Sequence, residues 1–138
     1  MKSVQLSLLA LVTFSLLTIS CSGRSKKDDK QATTSTSDKT EVYYFHATRR
    51  CATCQAVETI TKEALQEYYG DQIVFQSLNF EEEQNKAIVD KFQISGQSLL
   101  IVKGDKKTDI TGNAFMNART SPEKLKAKIK SVIDPLLN

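Results

Sequence analysis

One histidine, His46, and three cysteines are all the imidazole and thiol that this 138-residue chain contains. That scarcity argues against a structural zinc site, which takes four Cys or His ligands. Only one close cysteine pair exists, Cys51 and Cys54, and no second pair stands elsewhere to complete a tetrahedron. An excess of one charge is missing as well. The formal net charge is +3, but residues 1–40 hold six of the nineteen Lys/Arg and three of the sixteen Asp/Glu. Thirteen of each sign remain in 41–138. A neutral body offers no basic face for nucleic acid. There is no internal repeat, which sets aside solenoid architectures. Finally, residues 22–40 (SGRSKKDDKQATTSTSDKT) contain no Val, Ile, Leu or aromatic side chain. Such a stretch cannot bury apolar surface, so it is predicted to be a disordered tether spanning about 25 Å as a flexible coil.

Ahead of the tether, Met1-Lys2 gives a positive start to a largely apolar run, Val4 to Ile19, interrupted by Gln5, Ser7, Thr13, Ser15 and Thr18. It is too short and too polar for a membrane span and reads as the hydrophobic part of an export signal. The run ends at Leu17-Thr18-Ile19-Ser20-Cys21. A small residue followed by cysteine resembles a bacterial lipobox, in which cleavage leaves a diacylated N-terminal cysteine. The expected organisation is a lipoprotein signal peptide over 1–20, a tether over 21–40 anchored through Cys21, and one folded domain over 41–138. It implies a lipid-anchored protein of the bacterial cell envelope, facing the periplasm or the cell surface. With Cys21 acylated, the thiols are Cys51 and Cys54 alone.

The folded part begins with a β-branched and aromatic strand, Val42 to Phe45, a short basic loop, and then Cys51-Ala52-Thr53-Cys54. From there Val57, Ile60, Ala64, Leu65 and Tyr68 recur at helical spacing up to a glycine stop at Gly70. A second strand follows over 72–80. A second helix is predicted to open at Asn79 with Glu81, Glu82 and Glu83 in its first turn and Ala87, Ile88 and Phe92 on its inner face. Ser98 to Lys103 (SLLIVK) is a continuous apolar strand, and Gly104-Asp105 turns the chain back into Lys106–Thr111 as a hairpin. Ser121-Pro122-Glu123 opens a last helix with a stripe of Leu125, Ile129, Val132 and Ile133, predicted to stop at Pro135. The order β-α-β-α-β-β-α predicts an α/β fold with three layers: a mixed central sheet of about four strands, a parallel pair plus an antiparallel edge, and helices on both faces.

A cysteine pair two residues apart at the mouth of a helix that follows a strand carries thiol–disulfide chemistry. The unpaired N–H groups and the dipole at that helix end stabilise a thiolate. Cys51, at the exposed end, is expected to be the attacking thiolate, and Cys54, one turn in, the resolving thiol. Arg49 and Arg50 add two positive charges beside it, and His46 closes the preceding strand within reach. A purely structural disulfide is the weaker reading, since closing so small a loop contributes about 2 kcal/mol against about 3 for fifteen residues. No cofactor is implied beyond the redox-active pair Cys51–Cys54. The rival readings are a dithiol that binds a soft metal or arsenite with a partner's ligand, and a non-catalytic adaptor.

The motifs YYFHATRRCATC and FQISGQSLLIVKGDKK, with Gly112 ahead of the last helix, resemble thioredoxin. Two departures stand out: Arg50 where thioredoxin has tryptophan, and Ala52-Thr53 in place of Gly-Pro inside the pair. The buried acid of thioredoxin falls near Tyr44, and its cis-proline falls at Ser98. The chain resembles more closely a group of small bacterial thioredoxin-like lipoproteins that share the RCxTC pair, a Gly-x-Ser-Leu-Leu strand and the segment Asn117-Ala118-Arg119. That group is identified as the nitrophenyl compound nitroreductase subunit ArsF family. The resemblance implies a subunit of a reductase system, and Ser98 in place of proline implies one dedicated, membrane-associated protein redox partner.

Overall fold

The computed structural model describes residues 38–138. The expected signal peptide, the lipidation site Cys21 and nearly all of the tether lie outside the described residues. Strand β1, Thr40–His46, is the spine of the fold. Its residues alternate between two cores because successive side chains leave opposite faces of a sheet. Val42 and Tyr44 face one side, Tyr43 and Phe45 the other.

Helix α1, Ala52–Tyr69, returns the chain so that β2, Val74–Asn79, lies parallel to β1. Helix α2, Lys86–Phe92, precedes β3, Ser98–Lys103, which pairs antiparallel with the other side of β1. The turn at Gly104, with φ of 57°, leads into β4, Lys106–Asp109. The sheet order is β2-β1-β3-β4. Two helices close the chain, α3, Thr111–Asn117, and α4, Pro122–Leu137. The mixed four-stranded sheet with helices on both faces is therefore as the sequence predicts.

The two faces are unequal. On one side Val57, Ala64 and Leu65 of α1 and Leu125, Ile129 and Ile133 of α4 pack with Val42, Tyr44, Leu99 and Ile101. The other core is small: Tyr43, Phe45, Leu100 and Val102 under α2, with Phe92 its buried anchor.

Several expectations are corrected. The second helix does not open at Asn79. That residue ends β2, and its side-chain Oδ1 accepts a hydrogen bond from the Glu81 N–H at 3.0 Å, a turn that competes with helix. A 3-10 turn over Glu83–Asn85 intervenes before α2. Ala87 is exposed, and Val89 takes its place beside Ile88 and Phe92. A 3-10 turn over Gly70–Gln72 shortens the second strand at its start. Helix α3 is unforeseen. The chain also stays helical through Pro135. A proline so close to the helix end removes one N–H bond to a preceding carbonyl. Against that loss, Leu136 is buried in the core and its carbonyl accepts from Lys103 Nζ, while Asn138 Nδ2 donates to the Asp134 carbonyl at 3.1 Å.

Candidate functional site

The site lies where β1 ends and α1 begins. Cys51 is the N-cap of α1, with extended backbone (φ −79°, ψ 167°), and its sulfur accepts from the Cys54 N–H at 3.3 Å. An N-cap side chain occupies the place where helix N–H groups have no backbone partner. No acidic residue stands in the first turn of α1. The group whose negative charge this helix end favours is thus Cys51.

Cys51 is exposed and Cys54 is buried, both as free thiols, with their sulfurs 2.7 Å apart. The Cys51 thiol is held below its ordinary pKa. The hydrogen bond from the Cys54 side chain is the largest cause, followed by backbone N–H groups led by that of Cys54. The sulfur with the lowered pKa faces solvent and the other lies one turn inside, an arrangement compatible with attack by one and resolution by the other in disulfide exchange.

Three residues that the sequence reading did not single out for the site hold it in place. Tyr44, fully buried in β1, donates its hydroxyl to the Cys54 carbonyl at 3.0 Å and ties the first turn of α1 to the sheet. Burial pushes the Tyr44 phenol far above its ordinary range, so it stays a donor. Glu58, one turn beyond Cys54, ion-pairs with Arg50 and accepts from Lys62 Nζ at 2.6 Å. Although burial opposes it, the hydrogen bonds from Lys62 and Arg50 keep the Glu58 carboxyl below its ordinary range. Gln97, just before β3, accepts through Oε1 from the Cys54 sulfur at 3.0 Å.

The supporting residues named from sequence fall into different places. Arg50 is ion-paired with Glu58, and its guanidinium lies 5.7 Å from the Tyr44 ring centroid. Arg49 is exposed in the loop. The His46 ring nitrogen Nδ1 bonds the Ala47 carbonyl at 2.9 Å, and the ring packs 5.9 Å from that of Tyr44. Ser98 pairs with Phe45 of β1, and its hydroxyl donates to the Gly96 carbonyl at 3.1 Å.

Glu81, from the acidic run read as a first helical turn, has a structural role. Glu81 accepts from the Thr48 N–H at 3.0 Å, and Asn79 Nδ2 donates to the Thr48 hydroxyl at 2.9 Å. Together they clamp the loop that carries Arg49 and Arg50 into Cys51. Among the described residues, no group of three or more His, Cys, Asp or Glu could hold a metal ion. No described helix is long and apolar enough to cross a membrane.

No family model matches the chain, and no curated protein matches it. Solved structures do. Thioredoxin O2 from Arabidopsis thaliana, in its oxidised state, is 20% identical over 68% of this chain and 75% of its own, with a TM-score of 0.51. Thioredoxin from Malassezia sympodialis is 23% identical over 69% of this chain and 76% of its own, with a TM-score of 0.51. Thioredoxin f2, solved in complex with ferredoxin:thioredoxin reductase, is 22% identical over 70% of this chain and 80% of its own, with a TM-score of 0.50. The fold is thioredoxin-like.

Proposed function

We propose that this chain is a thiol–disulfide oxidoreductase of the bacterial envelope, tethered through a lipidated Cys21, that passes electron pairs through Cys51 and Cys54 to one dedicated protein partner. One observation carries it: an exposed Cys51 sulfur at a helix start, with its pKa lowered, 2.7 Å from the buried Cys54 thiol. The Cys51 thiolate attacks a partner disulfide, a mixed disulfide forms and one partner thiolate leaves. Cys54 loses its proton and attacks the Cys51 sulfur; the Cys51–Cys54 disulfide closes and the second partner thiolate leaves with the electron pair. Each partner thiolate takes up a proton, one of them the proton given up by Cys54.

A protein partner is supported by the thioredoxin f2 structure, in which a chain of this fold sits with a reductase. The resemblance to the nitrophenyl compound nitroreductase subunit family supports a place within a reductase system. The soft-metal alternative has less support, because a dithiol with no third ligand among the described residues is an incomplete site. The test is trapping in a bacterial host. Cys54→Ala is expected to accumulate one dominant mixed disulfide through Cys51, and Cys51→Ala none. Equal trapping by both variants would overturn the roles, and retention of a stoichiometric soft metal by the natural protein would favour the alternative. Mass spectrometry of the mature N-terminus tests the anchor: Cys21 is expected to be diacylated, and an unmodified N-terminus at another residue refutes the tether.

A further inference from the structure

Cys54 has one thiol proton and two acceptors for it. The Cys51 sulfur stands 2.7 Å away and Gln97 Oε1 stands 3.0 Å away. Gln97 is held there from both sides. The Ser98 hydroxyl bonds the Gly96 carbonyl at 3.1 Å, and the Leu99 N–H donates to the Thr111 hydroxyl at 2.8 Å. Thr111 is itself fixed by Asp109 Oδ1, which accepts its N–H at 2.8 Å and its hydroxyl at 2.6 Å. The strand entry that carries Gln97 is thus pinned by the Ser98–Gly96 bond that spans it and by the Leu99 bond two residues on, and the residue is half-buried.

The two acceptors act at different moments. While Cys51 is a thiolate, it competes for the Cys54 proton. Once Cys51 is bonded to a partner sulfur its charge is gone, and Gln97 becomes the stronger acceptor. In the closed Cys51–Cys54 disulfide there is no proton left for Gln97 to bind.

We propose, resting on the thiol–disulfide reading above, that Gln97 is the positioning residue that holds the proton on Cys54, stabilising the dithiol over the disulfide and delaying resolution of the mixed disulfide until the partner is fully engaged. Exchange still runs by the balanced steps given above; Gln97 governs when Cys54 releases its proton, which leaves on a partner thiolate. One neutral hydrogen bond is worth about a factor of five in an equilibrium constant. Removing it is expected to make the pair more reducing by about fivefold against glutathione, which is about 20 mV for a two-electron couple.

The experiment uses the full chain in three forms: natural, Gln97→Leu and Gln97→Glu. Each is equilibrated in glutathione buffers, and each is also loaded at Cys51 with a chromogenic aromatic thiol whose release by Cys54 is timed. Gln97→Leu is expected to shift the equilibrium about fivefold toward disulfide. Gln97→Glu keeps an acceptor and adds a negative charge, so it is expected to shift the equilibrium toward dithiol and slow the release. Opposite signs at one position separate proton holding from mere disruption of packing, which would move both variants the same way. Shifts of the same sign, or no shift in either variant, overturn the assignment. If Gln97→Leu does not fold, Gln97→Glu decides alone: slower release supports the role, and equal or faster release refutes it. Failure of the natural protein to form a Cys51–Cys54 disulfide in any glutathione buffer refutes the redox reading itself, and the role of Gln97 with it.

Discussion

The two ends of helix α1 are built on opposite principles. At its end, Gly70 closes the helix with φ of 57°, its N–H bonding the Gln66 carbonyl, and Tyr69 reaches across to Asp134 Oδ1 at 2.7 Å on α4. Leu65, Tyr69, Ile73 and Leu136 are buried around that junction. At its start the cap is Cys51, exposed, with no carboxylate in the first turn to quiet the helix end. The far end has its backbone and phenol groups paired by ordinary glycine and hydrogen-bond devices. The near end leaves its positive pole to the Cys51 sulfur, whose pKa is lowered there. With no acid in its first turn, this helix start leaves its N–H groups and dipole free to favour negative charge on the Cys51 sulfur.

The largest expected effect breaks the near end outright. Cys51→Ser is expected to abolish exchange with any disulfide, while Gly70→Ala at the far end leaves exchange intact. Release of an aromatic thiol from a small disulfide measures both, and residual exchange of more than a few per cent in Cys51→Ser would argue that Cys54 attacks directly.

Next comes the far end. An added Cβ at Gly70 meets nothing within 4 Å, so its cost is conformational and not steric. A non-glycine residue at that positive φ, paired with ψ of −127°, costs about 1–3 kcal/mol. Gly70→Ala is expected to lower the unfolding free energy by that amount and the denaturant midpoint with it, and an unchanged midpoint would sink the argument. Tyr44→Phe at the near end removes the donor to the Cys54 carbonyl. It is expected to cost about 1 kcal/mol, together with slower resolution as the first turn of α1 loosens.

A smaller effect separates the sources of Cys51 reactivity. Alkylation of Cys51 against pH is expected to have its midpoint below the ordinary thiol value in the natural protein. Cys54→Ala is expected to move it up, because the largest cause of the lowering is removed. Arg50→Ala is expected to move it little, because that charge is paired with Glu58. The reverse ranking would restore the arginines to the role that the sequence suggested for them.

That contrast also marks how far the sequence was legible. The strands around Tyr44 and Leu100, the Cys51 helix and the stripe through Ile129 could all be read, since apolar spacing alone decides which face each residue buries. Helix α3 could not: Gly112 and Asn113 weaken it locally, and it forms because Ala114 and Ala118 are buried and Thr111 is tied to Asp109 and Leu99. Gln97 and Glu58 carry no local signal for the site. Gln97 lies 43 residues from the sulfur it touches, and Glu58 looks like any helical acid until Arg50 folds back onto it. Polar partners chosen across the fold leave no periodicity in the chain. The clue to Gln97 was its place beside Ser98, which the likeness to thioredoxin set opposite the pair.

The smallest expected effect concerns the clamp on the loop before Cys51. The Glu81 carboxyl is fully exposed, yet hydrogen bonds from Thr48 hold it below its ordinary range. A carboxyl depressed by folding contributes stability above its unfolded pKa and loses it as pH falls through the folded value. The loop into Cys51 is therefore expected to loosen only in acid, below the ordinary carboxylate range, and to be fully clamped at neutral pH. Asp134 at the far end of α1 is depressed as well, by hydrogen bonds from Lys130 and then Tyr69, so acid alone does not tell the two ends apart. The Thr48 amide does. Its proton shift is expected to titrate with Glu81 and to become flat in Glu81→Gln, while Asp134→Asn leaves it unchanged. If the Thr48 amide responds instead to Asp134→Asn, or ignores Glu81→Gln, the near end has no clamp of its own and the two ends of α1 answer to one network.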